Sequence, residues 1–216
     1  MMRVDAYRAF KKCLFSGELK PGQFVSQREL ASLLKVPLNP IREAIRQLEC
    51  ESLIKVYPQK GIQIIEADPK TINDAHDYRL LLEEAAIAVF ADRAPAETVD
   101  RMRADTVAML EALDRSPDDD RVVDAALEAA WNFHDEIIDF QGNAIVSHHY
   151  RLNSARIRLF RSNAYRSTIG EQLAPSLRHH LTILDACGRR DADAAVRLIR
   201  EDIETSRTIT LGLKAG

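Results

Sequence analysis

Beyond residue 67, apolar side chains recur every three or four positions to the end of the chain, and no stretch alternates as a half-buried strand would. Helix starts are marked by Asp68 with Pro69 and by Pro95. Further helices are predicted over residues 120–140, 144–163, 171–187 and 192–211. Because each helix must bury its apolar stripe against a neighbour, six such helices joined by short links predict an antiparallel helical bundle.

The first 67 residues have a different pattern. Apolar spacing predicts helices from Val4 to Phe15, after Ser26 in QRELASLL and after Pro40 in IREAIRQLECE. The alternation in LIKVYPQKGIQII predicts two short strands around PQKG, where Gly61 is free to adopt a positive φ. Two short helices across a tight turn and then a hairpin form a winged helix-turn-helix, although the same pattern also occurs in purely structural domains.

The expected fold is therefore mainly α, with a winged helix-turn-helix over residues 1–67 and an all-helical antiparallel bundle of about six helices over residues 68–216. The two segments differ in charge. The first holds 11 Lys and Arg against 7 Asp and Glu, and the second holds 19 against 26. Only the first segment is thus suited to a polyanion such as nucleic acid, unless so small an excess arose by chance.

Two classes of protein are disfavoured by composition. The longest apolar stretch, Ala85–Ala91, is far shorter than the roughly 20 residues that a bilayer requires, and the N-terminus lacks the apolar core of a secretory signal. Cys13, Cys50 and Cys187 are odd in number and far apart, which favours neither a disulfide framework nor a thiolate zinc site. A cytoplasmic protein without a membrane span is expected.

Residues 17–64, GELKPGQFVSQRELASLLKVPLNPIREAIRQLECESLIKVYPQKGIQI, resemble the DNA-binding domain of GntR-type bacterial transcriptional regulators. The shared motifs are PG after the first helix, SxRELA, PxREAxxxL and the KG of the wing. The resemblance implies a recognition helix in the major groove of double-stranded operator DNA and a wing tip on the minor groove or backbone. The contact positions that it implies are Arg28, Asn39, Arg42, Lys60 and Gly61.

The chemistry of these side chains suits such roles, because Arg grips phosphate or guanine, Asn reaches adenine or phosphate, and Gly lets the backbone approach the groove. Arg46 is either a further contact or a solvated residue paired with Glu43 or Glu49. The chain departs from the family where Pro37 and Leu38 replace the usual Ser or Thr followed by Arg. Leu38 then either touches a thymine methyl group or fills the turn.

The bundle resembles the FCD effector domain of the FadR subfamily through WNFHDEIIDFQGN, HLTILDA and DADAAVRLIRED. This resemblance implies a homodimer that binds a small effector, often a carboxylate, and often a divalent metal held by one Asp and three His. His134 and His180 occupy two of the His positions, Asp202 occupies the third, and Ala130 replaces the Asp.

His134, His180 and Asp202 each lie on an apolar helix stripe and are expected to converge in the bundle. A buried carboxylate needs a partner. One interpretation is a site for Zn, Ni or Mn with open positions for an organic acid, and the other is an ion pair between Asp202 and a histidine without metal. Arg79 either faces the same cavity or pairs with Glu83 four residues later.

These features predict a ligand-responsive transcriptional regulator, with repression the commoner mode in the family, and a dimer formed mainly by the effector domain. The alternative is a helical metal-dependent hydrolase that uses His134, His180 and Asp202. The sequence contains no HExxH, GxSxG or phosphate-binding glycine loop to favour that alternative. The third class is a protein-interaction adaptor. It would be favoured if the first 67 residues failed to bind DNA.

Overall fold

The computed structural model describes residues 2–165 and 169–213. Within them, nine helices and three short strands confirm the mainly α fold class. The N-terminal elements are α1 Met2–Phe15, β1 Phe24–Val25, α2 Gln27–Leu34, α3 Leu38–Cys50, β2 Ile54–Tyr57 and β3 Gly61–Ile64. The remaining helices are α4 Pro69–Arg93, α5 Ala96–Arg115, α6 Asp120–Asp139, α7 Ala144–Tyr165, α8 Ile169–Gly188 and α9 Ala192–Thr210.

The chain packs as two compact units. The first contains the N-terminal residues through Ala75, the second half of α7 from Leu152, and residues 210–212. The second contains α5, α6, the described part of α8, α9 through Ile209, α4 from His76 and the first half of α7. The sequence did not predict that α7 contributes to the first unit.

The core of the first unit is built from the buried faces of α1, α2 and α3, completed by Ala155 and Leu159 of α7. Ser26 caps α2 in a capping box with Glu29, since each side chain accepts from the other residue's backbone N–H. In contrast, Pro37 precedes α3 without any side-chain cap. The helix-turn-helix is thus fixed by local signals and by one continuous apolar core.

The predicted hairpin of β2 and β3 is present, and β1 adds to it to form a three-stranded antiparallel sheet in the order β1-β3-β2. Strand β1 is two residues long and pairs Val25 with Ile62. At Gly61 φ is +107°, and a Cβ atom there would lie 2.8 Å from the carbonyl oxygen of Val25. The sheet itself therefore requires glycine at this position, and the role of Gly61 in an approach to DNA stays a prediction.

The second unit is the predicted helical bundle, in which α5 packs against α6 and α8, and α6 packs against α8. Asp119 caps α6, Asn143 caps α7 and Asp191 caps α9, each by accepting from a backbone N–H of the first turn. Among the residues that the structure describes, no helix combines the length and hydropathy that crossing a bilayer requires.

Candidate functional site

The predicted DNA-contacting side chains lie on the surface of the first unit. Arg28 on α2, Asn39 and Arg42 on α3, and Lys60 in the turn before β3 are all exposed. Arg42 Nε donates to Gln27 Oε1 at 3.2 Å, which ties the guanidinium to α2. The first turn of α3 holds no acidic residue, so its N-terminal N–H groups and positive helix end are free of a competing carboxylate.

Arg46 forms the ion pair that was the alternative to a DNA contact. Its Nη1 lies 2.8 Å from Glu43 Oε2, one helical turn earlier. The Arg46 side chain is 71% exposed, so this pair contributes little to stability, and a DNA contact by Arg46 stays a prediction.

The second candidate site is a buried network centred on Glu83, a residue that the sequence placed only as a partner of Arg79. One Glu83 carboxylate oxygen accepts from Arg79 Nε at 2.5 Å and from Tyr150 Oη at 2.6 Å. The other lies 2.7 Å from His134 Nδ1. Because these partners come from α4, α6 and α7, Glu83 joins three helices through charge-assisted hydrogen bonds.

The protonation of this network follows from its charges. Burial alone would raise the pKa of Glu83, but Arg79 and His134 outweigh burial and lower it to about 2. Glu83 is therefore ionised and can only accept, so His134 Nδ1 must donate to it. The other ring nitrogen, Nε2, then faces Asp202 Oδ2 at 3.4 Å. With Nδ1 donating to Glu83, Nε2 is the atom that either donates to Asp202 in an ion pair or, unprotonated, could bind a metal.

Arg79 satisfies both interpretations of its role. Its side chain is only 1% exposed, pairs with Glu83 and also reaches Asp202, with Nη2 3.7 Å from Oδ2. Nη1 donates to Ser206 Oγ at 3.4 Å, and the guanidinium carbon lies 5.6 Å from the Trp131 ring centroid. Nη2 has no hydrogen-bond partner among the described residues, although it lies within ion-pair distance of Asp202.

His180 is the least satisfied member of the cluster. Its side chain is buried and stacks on Phe133 with ring centroids 4.0 Å apart. Neither ring nitrogen has a hydrogen-bond partner within the described chain, because Asp202 Oδ1, at 3.6 Å from Nε2, is too distant. Burial lowers the pKa of His180, although Asp202 opposes this shift. A buried imidazole without a close hydrogen bond but at ion-pair distance from Asp202 fits either a metal or polar ligand or the ion pair with Asp202.

Asp202 completes the predicted set. Burial by itself would raise its pKa, but His180, His134 and Arg79 hold the pKa well below its ordinary value. One donor atom from each of His134, His180 and Asp202 lies within 4.8 Å of the others. Ligands about 2.1 Å from one metal are about 3 to 4 Å apart. The two Asp–His contacts lie in this range but use different oxygens of Asp202, so binding one metal requires a small rearrangement.

The structure therefore brings the three predicted residues together and is compatible with both interpretations of them. Ala130, at the family's Asp position, packs in an apolar cluster with Leu173 and Leu177 and supplies no ligand. With the imidazoles counted as neutral, Arg79, Glu83 and Asp202 carry a net charge of −1. A divalent ion would change this to +1 and so favour an organic anion.

The comparisons with known proteins identify the family of the chain. The model of the FCD domain matches residues 74–205, and that of the bacterial regulatory proteins of the gntR family matches residues 3–64. The chain therefore belongs to the GntR family, carries an FCD domain and is a DNA-binding transcriptional regulator. The gntR family model describes regulatory proteins, and neither model favours the hydrolase alternative.

Individual relatives extend over most of the chain. The HTH-type transcriptional repressor GlaR of Escherichia coli (strain K12) is 28% identical over 225 residues, covering 99% of this chain and 97% of GlaR. The HTH-type transcriptional regulator YdhC of Bacillus subtilis is 26% identical over 193 residues, covering 89% of this chain and 83% of YdhC. The solved structure of E. coli McbR/YncC shares the fold, with a TM-score of 0.76 and 18% identity over 98% of this chain and 97% of that one.

Metal content distinguishes the two interpretations of the buried cluster. Protein purified without chelator or metal-affinity resin is expected to contain about one equivalent of Zn, Ni or Mn, and His180→Ala to lower this below about a tenth. His149→Ala is the control, because His149 is an exposed histidine on α7. If the unmodified protein stays below about a tenth of an equivalent even after reconstitution, the ion pair without metal is correct.

Proposed function

We propose that the chain is a homodimeric, cytoplasmic repressor whose operator binding is controlled by a small organic acid. Residues 1–67 form the DNA-binding domain, and residues 68–216 form the effector-binding and dimerisation domain. In the DNA interface we place Arg28, Asn39, Arg42, Arg46, Lys60 and Gly61, and at the effector we place Arg79, His134, His180 and Asp202.

The main support for the effector site is that both ring nitrogens of buried His180 have no hydrogen-bond partner among the described residues. The same is true of Nη2 of Arg79. Buried polar groups without partners are costly, so a ligand that completes them gains binding energy. An organic carboxylate matches both the guanidinium and an open metal position. Repression is supported by the name of the relative GlaR, which is called a repressor.

A metal held by His134 Nε2, His180 and Asp202 would supply a Lewis-acidic position for the effector carboxylate. Arg79 would orient that carboxylate, while Glu83 holds both Arg79 and His134 in place. An effector that prefers one arrangement of α4, α6 and α9 shifts the protein toward that arrangement and thereby changes operator affinity.

Dimerisation is supported by an exposed apolar stripe on α4. Leu81 is 72% exposed, and Tyr78 and Ala85 lie one turn to either side of it, also exposed. Contiguous apolar surface of this kind marks protein interfaces. A symmetric dimer would bury the same stripe on both subunits.

Leu81→Glu is expected to convert the full-length protein from dimer to monomer at about 10 µM, because it places a charge in the apolar centre of each half of the interface. Light scattering coupled to size exclusion measures the mass. Leu213→Glu is the matched control, since Leu213 is also exposed but near the C-terminus. A monomeric unmodified protein, or a Leu81→Glu dimer of unchanged strength, would contradict this interface.

A further inference from the structure

We propose that Leu38 is a specificity-determining residue that contacts the 5-methyl group of a thymine in the operator. The inference rests on the proposed DNA interface. It adds which kind of base one residue of that interface recognises. It assigns sequence preference to the position where this chain has leucine in place of the arginine usual in the family.

The exposure of Leu38 is unusual for its helix. The other aliphatic residues of α3, Ile41, Ala44, Ile45 and Leu48, are buried in the core of the first unit. Leu38 is 38% exposed at the first position of the helix, flanked by exposed Pro37 and Asn39. Part of its side chain therefore remains available to a partner.

The neighbours of Leu38 indicate what that partner is. Arg42 lies one helical turn further on, so Leu38 and Arg42 share one side of α3. The same helix end is free of acidic residues and presents first-turn N–H groups suited to phosphate. A surface that combines phosphate-binding groups with Asn39, Arg42 and one apolar side chain has the composition of a surface that contacts base edges in the major groove.

Within the major groove, the apolar group that distinguishes one base from another is the thymine 5-methyl group. Leucine has no donor or acceptor, so it discriminates only by packing. Side chains one helical turn apart are about 6 Å apart, and successive bases on a strand are about 3.4 Å apart. The thymine is therefore expected within about two base pairs of the base or phosphate that Arg42 contacts.

The test uses full-length protein and a random duplex DNA library. After selection of bound duplexes, each thymine of the enriched site is replaced in turn by uracil, which removes only the methyl group. At one thymine per half-site this replacement is expected to weaken binding about 3- to 5-fold, because one methyl group leaves its apolar contact. The base that Arg42 contacts is located as the one whose substitution no longer matters in Arg42→Ala.

Two variants complete the design. Leu38→Ala should bind thymine and uracil duplexes equally, whereas Leu33→Ala should keep the difference, since Leu33 is a similarly exposed leucine on α2. Leu38→Arg should change the preferred base at that position from thymine to guanine.

The inference is overturned if no thymine near the Arg42 contact is sensitive to uracil, or if Leu38→Ala keeps the discrimination. Enrichment of a site without this sensitivity leaves the proposed DNA-binding function intact. A library that yields no enriched sequence overturns both the role of Leu38 and the proposed DNA-binding function.

Discussion

Arg42→Ala is expected to lower operator affinity about 30-fold or more, because an arginine contact to the DNA contributes about 1–3 kcal/mol and a dimer has two. The side chain is exposed, and its hydrogen bond to Gln27 is a surface contact, so the melting temperature should change little. Fluorescence anisotropy with a labelled selected duplex measures the affinity, and thermal unfolding checks the fold.

Arg93→Ala is the matched control, since this exposed arginine lies at the end of α4 and outside the proposed DNA interface. It should bind with unchanged affinity. If Arg28, Arg42 and Lys60 of both subunits neutralise about six phosphates, log Kd should vary with log salt with a slope of magnitude about 5. Unchanged binding by Arg42→Ala, or a slope near zero, would contradict the proposed interface.

Glu83→Ala is expected to lower the free energy of unfolding by about 3–5 kcal/mol, because it leaves the buried Arg79 without its closest counter-charge. Tyr150 and His134 lose the same acceptor. For a chain of this size, the loss corresponds to a fall in melting temperature of about 6–20 °C. Urea unfolding followed by circular dichroism measures the free energy.

The neighbouring residue provides the control for this experiment. Glu84 pairs with Arg200 at 2.6 Å but is partly exposed, so Glu84→Ala should cost no more than about 1 kcal/mol. Glu83→Gln keeps one acceptor oxygen, so its loss of unfolding free energy should lie between those of Glu83→Ala and Glu84→Ala. Equal effects of Glu83→Ala and Glu84→Ala would show that the network does not stabilise the bundle.

Much of the fold could be predicted because its signals are local. Ser26 and Glu29 mark the start of α2 within four residues, and Asn143 similarly marks α7. The inward positions of His134, His180 and Asp202 followed from helical spacing alone. Their convergence was predictable because antiparallel helices bring such stripes to a common axis.

Other features depend on contacts between distant residues and left little signal in the sequence. Strand β1 has only two residues, too few to show alternation. Glu83 was recognised only as a possible partner of Arg79, because spacing reveals a partner on the same helix but not Tyr150, 67 positions away. The close approach of Val25 to Gly61 likewise exists only once the sheet has formed.

The most direct test of the account is the effect of organic acids on operator affinity. The selected duplex is titrated with unmodified protein and with His180→Ala, in the presence of metal and a panel of short mono- and dicarboxylates. The account predicts that at least one acid changes the Kd of the unmodified protein about tenfold or more, as is typical of coupling between two sites, and changes that of His180→Ala less than about twofold. It would be contradicted if no acid changed the Kd, or if the change were the same in both proteins.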